Sequence, residues 1–405
     1  MRRTIAAVAS FALLALSGCD DIALRNGIVD LVNRALYGPQ APSGLAATPL
    51  SVSKIHLSWT DNSTDETAFK IERSPDGSTE WTQVQQTDAN MTEYYDIGLA
   101  DGATYYYRIC ASNEGVDSAY SSEASAMTDS LVPITLVAIN AAGDSFTMGD
   151  GTYGPGALQS FSYDYGISKY EITNSQFAQF IDDGGYSTPE YWTTNGWSYR
   201  EAGAWAEPGS WSDSDFNGAN QPVVGVSWYE AVAFCNWRSA KGGLTPAYNS
   251  AGHATLGASG YRLPTEVEWE YAGAKGATGQ PERVYAWGTT WNSDNAVCYV
   301  LPASASKTAD VGSKSPGGDT PQGLADMSGN VGEWCSDNYQ SDAGITPGTD
   351  WYYFIGDSTT DTFLLRGGAW NDSFENSFRC AFRNPYNPDF RGDVYGFVGF
   401  RVGRP

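Results

Sequence analysis

Histidine is nearly absent from this chain of 405 residues, which contains only His56 and His253. Two histidines exclude a zinc centre built from several imidazoles and count against a Ser-His-Asp triad. Positive charge is also scarce, because 23 Lys and Arg stand against 47 Asp and Glu, for a net charge of −24. Such a charge repels phosphate backbones, so we expect no nucleic-acid partner.

Aromatic residues and glycine are abundant, with 14 Trp and 45 Gly in the chain. Together they indicate loops that are held in place by buried rings. The length suits two domains of roughly 100–200 residues each.

The N-terminus has a basic start, an apolar run of about a dozen residues and then Leu16-Ser17-Gly18-Cys19. This pattern predicts an export signal, and the residues before Cys19 resemble the lipobox of bacterial lipoproteins. The resemblance implies removal of residues 1–18, lipidation of Cys19, an anchor and spacer at 19–41, and a place in the cell envelope facing the periplasm or exterior. An ordinary secretory peptide is the alternative. The remaining five cysteines are an odd number, so at least one is a free thiol or pairs between molecules.

Residues 42–130 alternate apolar and polar side chains in short stretches separated by turn residues. This period of two predicts an all-β sandwich. Trp59 and the spacing from Leu99 to Tyr105 resemble the core tryptophan and tyrosine corner of fibronectin type III domains, which implies a spacer domain. The same register points Cys110 outward and makes it the candidate free or intermolecular thiol.

Three capping boxes in the second half of the chain predict short amphipathic helices. They begin at Thr173, Ser227 and Thr265, each followed three residues later by Gln or Glu. Long segments rich in glycine and aromatic residues lie between them. The pattern therefore predicts a loop-rich α+β domain over residues 134–405.

An ordered series of short strings in this domain resembles the formylglycine-generating enzyme, or sulfatase-modifying factor, family. The strings are FTMG at 146–149, KYEITN at 169–174, QPVVGVSW at 221–228, YRLPTE at 261–266, MSGNVGEW at 327–334, RGGAW at 366–370 and GFRV at 399–402. The resemblance implies an irregular α+β fold related to C-type lectins. It also implies an enzyme that oxidises a sulfatase cysteine with oxygen and copper(I), which two cysteine thiolates hold.

In the family, those two cysteines lie in the segment that corresponds to Trp370–Cys380 here. The only cysteine in this segment is Cys380. Copper(I) needs paired soft ligands, so we expect no copper and no oxidase activity. Gly273 stands where the family resemblance implies a further cysteine. The formylglycine-generating oxidase acting on sulfatase-type clients remains the alternative function.

The family resemblance also implies a structural calcium site. Its ligands would be the side chains of Asn330 and Glu333, with Val331 and Gly332 as backbone donors. Oxygen ligands of this kind suit calcium. The alternative is a turn that is held by hydrogen bonds without a metal.

The C-terminal loops combine aromatic rings with short polar side chains, a composition typical of recognition surfaces. The candidate ligand-binding residues are Asn371, Asp372, Phe374, Phe378, Tyr386, Phe390 and Tyr395. This ending also resembles the variable proteins of diversity-generating retroelements, which vary on the same loops. We therefore expect a membrane-anchored module that binds a protein or glycan, with a structural role in an envelope assembly as a third interpretation.

Overall fold

The computed structural model describes residues 38–113, 116–301, 305–392 and 396–405. The chain divides into two compact units, Met1–Leu131 and Val132–Pro405. The predicted signal peptide at 1–18, Cys19 and most of the predicted spacer lie outside the described residues. Within the described ranges, no helix has the length and apolar character needed to span a bilayer.

The first unit is built from short strands throughout its described residues. The strands are β1 Ser43–Ser51, β2 Lys54–Thr60, β3 Ala68–Ser74, β4 Thr82–Asp88, β5 Glu93–Ile97, β6 Thr104–Asn113, β7 Val116–Asp117 and β8 Ala124–Met127. They form two antiparallel sheets. One sheet has the order β1-β2-β5, and in the other β4-β3-β6 continues to β7 while β8 also pairs with β6.

The core of this unit lies between the two sheets, as the alternating pattern predicts. Leu57 and Trp59 of β2 share one buried cluster with Ile71 of β3 and Ile109 of β6. The hydroxyl of Tyr105 accepts a hydrogen bond from the Ala100 amide at 3.0 Å. Alternate residues of each strand therefore face the opposite sheet.

Cys110 is predicted to point outward, and it lies outside the buried core cluster between the sheets, but only 1% of this residue is accessible. It lies on the outer face of β6, where Lys70, Arg108 and Tyr120 surround it. Burial raises the pKa of its thiol to about 11. Cys110 is a free thiol, but it does not present its sulfur for pairing between molecules.

The described part of the second unit contains four α-helices. They are α1 Asn174–Asp182, α2 Thr194–Gly203, α3 Trp228–Lys241 and α4 Glu266–Ala274. The three predicted capping boxes are confirmed at the starts of α1, α3 and α4, with both reciprocal hydrogen bonds present in each. Helices α3 and α4 are buried along almost their whole length. The surrounding loops and strands of the domain therefore cover them on all sides.

Short strands accompany these helices. The strands are β9 Leu136–Ile139, β10 Ser145–Met148, β11 Ala157–Ser160, β12 Tyr165–Ser168, β13 Gly332–Asn338, β14 Gly348–Thr349, β15 Phe363–Arg366, β16 Asn384–Tyr386, β17 Val398–Gly399 and β18 Gly403–Arg404. They form small sheets with the orders β10-β11-β14, β9-β12-β18 and β16-β15-β13-β17. Single turns of 3-10 helix lie at Gly185–Ser187, Pro189–Tyr191, Ser293–Asn295, Asp342–Gly344 and Glu375–Phe378. This mixture agrees with the predicted loop-rich α+β class, while the relation to C-type lectins stays a prediction.

Candidate ligand-binding site

Two ion pairs with helix α4 fix the ends of the loop between β15 and β16. Arg366 at the end of β15 pairs with Glu270 and donates to the Phe382 carbonyl at 2.7 Å. Arg383 donates to both oxygens of Glu266, at 2.6 and 2.8 Å. Glu266 and Glu270 are four residues apart and therefore share one face of α4. The helix thus determines where the loop starts and where it returns.

A cavity of about 230 Å³ opens where this loop meets the sheet. The residues lining it come from β13, β15, β16 and the loops next to them: Gly332, Leu365, Arg366, Gly368, Ala369, Asn371, Asp372, Phe382, Asn384, Tyr386 and Phe397. Asn384 and Tyr386 are two positions apart on the edge strand β16, so their side chains project from the same face. Three predicted ligand-binding residues, Asn371, Asp372 and Tyr386, are therefore brought together here.

Aromatic rings form one wall of the cavity. The rings of Tyr386 and Phe390 stack with their centroids 4.2 Å apart and their planes 13° apart. Phe397 lies next to Phe390 at 5.8 Å. Phe390 does not line the cavity itself, but its ring supports Tyr386 from behind. The stack leaves Tyr386 little freedom to rotate, which favours binding because less side-chain entropy is lost.

Asp372 shapes the loop. Its carboxylate accepts a hydrogen bond from the Ala369 amide at 2.8 Å, and the Ser377 hydroxyl is a second partner. Burial raises the pKa of this carboxyl above its ordinary value. The Tyr299 amide also donates to its backbone carbonyl at 3.2 Å. The side-chain and backbone oxygens of Asp372 are thus hydrogen-bonded within the protein.

Among the described residues, the predicted ligand-binding residues Phe374 and Phe378 are not at the cavity. Phe374 is 74% exposed and lies outside the lining. Phe378 is fully buried and packs on Trp291 at 5.0 Å, so its prediction as a ligand-binding residue is wrong. It is buried because it sits in a 3-10 turn whose inward side faces a separate aromatic cluster. Tyr395 lies outside the described residues.

The sequence reasoning missed Phe382, Asn384 and Phe397 as lining residues. Asn384 could have been predicted as a lining residue, because it lies two residues before Tyr386 on a stretch rich in Pro and Asn. Phe397 gave no such signal, since its place depends on the pairing of β17 with β13.

The predicted calcium residues have protein partners in this structure. Glu333 is fully buried, and its two oxygens accept hydrogen bonds from Arg401 at 2.6 Å each, with the Trp269 indole adding a third at 2.6 Å. The Asn330 side-chain oxygen accepts from the Ala309 amide at 3.0 Å. Calcium requires about six to eight free oxygen ligands. This arrangement does not offer them, so calcium binding stays a prediction that requires the Arg401–Glu333 pair to open.

Two further buried carboxyls, Glu171 and Asp326, lie beside this ion pair. Asp326 accepts a hydrogen bond from the Gly312 amide at 2.6 Å. Burial raises the pKa of Glu171 well above its usual value, and the negative charges of Asp326 and Glu333 raise it further. Burial also raises the pKa of Asp326. The folded protein therefore holds a proton on this pair under conditions in which ordinary carboxyls are ionised.

The cysteines do not fit a copper site. All five within the described residues are buried free thiols. The only cysteine of the loop, Cys380, lies against Gly273 of α4, where an added Cβ would be 3.2 Å from its sulfur. Burial raises the pKa of the Cys380 thiol to about 12. In the described part of the chain, no group of three or more His, Cys, Asp or Glu side chains could hold a metal ion.

Fold and site define a class of protein: an α+β domain with a cavity built from short strands and irregular loops near its C-terminal end. The profile of the sulfatase-modifying factor enzyme 1-like domain matches residues 133–404, and the chain belongs to this family. The formylglycine-generating enzyme of Thermomonospora curvata is 30% identical over 271 residues, which cover 57% of this chain and 80% of that enzyme.

Other relatives carry different names. The hercynine oxygenase of Mycolicibacterium smegmatis is 30% identical over 235 residues, which cover 55% of this chain and 49% of that enzyme. The chain thus spans about half the length of that relative. Treponema denticola variable protein 1 shares the fold, with a TM-score of 0.51 and 24% identity, over 68% of this chain and 96% of that protein.

Proposed function

We propose that this protein is a membrane-anchored lipoprotein of the cell envelope whose sulfatase-modifying-factor-like domain binds a ligand instead of oxidising a client. The observation that carries the proposal is the cavity beside Asn371, Asp372 and Tyr386. It lies on the loop that has a single cysteine, Cys380. The loop therefore retains a recognition surface and lacks the paired thiolates.

The remaining parts of the chain have supporting roles in this proposal. Cys19 carries the lipid and holds the chain on a membrane, with its domains facing the periplasm or exterior. Residues 42–130 are a fibronectin type III spacer, which the buried Trp59 and the bond from the Ala100 amide to Tyr105 support.

Variation of the terminal loops is a finer part of the proposal. The shared fold with a protein named as variable, and a cavity built from the C-terminal loops, support a variable protein of a diversity-generating retroelement. Sequencing the locus in sister isolates tests this. We expect substitutions to concentrate in the codons of cavity residues such as Asn371 and Tyr386, and an even spread along the gene would contradict it.

A direct binding experiment tests the main proposal. The full chain, labelled on lysine, is applied to a glycan array and to a peptide library, side by side with two variants. We expect a ligand that the wild-type protein retains, that Tyr386→Ala loses and that Phe374→Ala retains. Phe374 is the matched control, because it is an exposed aromatic residue of the same loop outside the cavity lining. Equal binding by all three proteins would place recognition elsewhere.

The alternative is the formylglycine-generating oxidase, which the named relatives support. Its test incubates the full chain with copper(I), oxygen and a Cys-x-Pro-x-Arg peptide, and reads the product by mass spectrometry. We expect an unchanged peptide beside an active family member as positive control. Conversion of the cysteine to the aldehyde would overturn the binding proposal.

A further inference from the structure

Three neutral side chains that line the cavity have no hydrogen-bond partner in the described part of the chain. They are the side-chain amides of Asn371 and Asn384 and the hydroxyl of Tyr386. Each amide can donate and accept at once, and the hydroxyl can do either. Neutral groups of this kind recognise hydroxyls and amides more readily than ions.

The charged residues of the cavity lining already have ionic or hydrogen-bond partners, although the buried Nε of Arg366 makes no hydrogen bond. Arg366 is buried and pairs with Glu270, and Asp372 is bonded to the Ala369 amide and to Ser377. A charged ligand group would therefore find no free counter-charge among the described lining residues and would lose its hydration without compensation. The net charge of −24 acts further against an anionic ligand.

The volume of the cavity and the shape of its walls limit the class of ligand further. A cavity of about 150 Å³ holds a benzene ring, so about 230 Å³ suits one six-membered ring with its substituents. The ring of Tyr386, backed by Phe390, offers a flat apolar wall, on which the C–H face of a sugar can pack. An extended peptide strand fits less well, because Pro385 lies in the edge strand β16 and cannot donate a backbone hydrogen bond.

From these observations we infer that the cavity binds a neutral pyranose unit of a glycan. The sugar packs on Tyr386, and neighbouring hydroxyls bond to the amides of Asn371 and Asn384. This inference rests on the proposed function, since it specifies the ligand of the same site.

The test uses methyl glycosides of glucose, galactose, mannose and N-acetylglucosamine as probes. Saturation-transfer NMR with the full chain reports which of them bind. We expect at least one to bind, and Tyr386→Ala and Asn384→Ala to weaken it about tenfold each, because each removes a stacking or hydrogen-bonding group. Tyr386→Phe keeps the ring and should lose less, and Phe374→Ala should bind like the wild-type protein. Thermal unfolding of every variant verifies that it is folded.

Further probes distinguish a failure of the sugar inference from a failure of the proposed binding function. Sialic acid, glucosamine and tetramethylammonium serve as anionic and cationic probes, and a short neutral peptide as a further one. If one of these, and none of the glycosides, binds in a way that depends on Tyr386, the sugar inference is wrong and the binding module stands. If glycosides bind equally well to Tyr386→Ala, the sugar site lies elsewhere and the inference fails. If no probe, array glycan or library peptide binds, both are overturned.

Discussion

Replacing Gly273 with cysteine should create a disulfide that this chain lacks. Gly273 lies in helix α4, and its backbone does not require glycine, because its φ is not in the left-handed region. An added Cβ would lie 3.8 Å from the Cβ of Cys380 and 3.2 Å from its sulfur. Disulfides have Cβ atoms about 3.8 Å apart on average. The two positions are thus already placed for the bond.

The size of the effect follows from the loop that the bond closes. A loop of roughly 100 residues corresponds to about 4.7 kcal/mol of lost unfolded-state entropy, and measured disulfides usually give about 2–4 kcal/mol. In a domain of this size, each kcal/mol moves the melting temperature by about 2–4 °C. We therefore expect oxidised Gly273→Cys to melt roughly 5–15 °C above its reduced form.

The assay combines thiol titration in denaturant with peptide mapping and thermal unfolding. After mild oxidation, two thiols of the variant should be protected, and the mapped peptide pair should join residues 273 and 380. The double variant Gly273→Cys/Cys380→Ser is the matched control and should show no difference between oxidising and reducing conditions. If every thiol still titrates, or if residue 273 pairs with another cysteine, the placement of α4 against this loop is wrong.

The other predictions concern the buried charges and the N-terminus. Thermal unfolding with calcium or EDTA tests the predicted calcium site: bound calcium should raise the melting temperature and requires the Arg401–Glu333 pair to open, whereas an unchanged melting temperature would mean that the pair stays closed and would reject the site. Glu333→Gln should cost about 3–5 kcal/mol in urea unfolding, since it breaks a buried ion pair, whereas a loss below about 1 kcal/mol would contradict this burial. The raised pKa values of Glu171 and Asp326 mean that the folded state binds protons that the unfolded state has released. The free energy of unfolding should accordingly fall as the pH rises from about 4 through the raised values, by about 1.4 kcal/mol for each pH unit that separates the folded-state pKa from the unfolded-state pKa. Glu171→Gln should flatten that slope, and an unchanged slope would assign it to other groups. Finally, Cys19→Ser should move the expressed protein from the membrane to the soluble fraction and abolish palmitate labelling, and retention on the membrane would reject the lipid anchor.

Some features of the fold could be read from short segments because their causes are local. A capping box needs only a hydroxyl and an acceptor three residues apart, so the starts of α1, α3 and α4 were predictable. The alternation in β2 and β6 likewise shows which side chains face a core.

The burial of individual rings and thiols was less predictable. Phe378 and Tyr386 belong to the same kind of aromatic, polar stretch, yet one is in the core and the other lines the cavity. The difference depends on the 3-10 turn that points Phe378 inward and on the edge strand that points Tyr386 outward. Cys110 points outward as predicted, but the pattern did not show that neighbouring side chains on the outer face of its sheet bury it.

The family, the α+β class of residues 134–405 and the presence of a single cysteine between residues 370 and 380 all follow from the amino-acid sequence, because they depend on residue identity and order. The folded chain was needed to show that Asn384 and Phe397 join the cavity, that Gly273 faces Cys380 and that Glu333 is bonded to Arg401. Each of these contacts joins residues that lie far apart along the chain. Such contacts depend on how sheets and helices pack, and no local pattern of the chain specifies them.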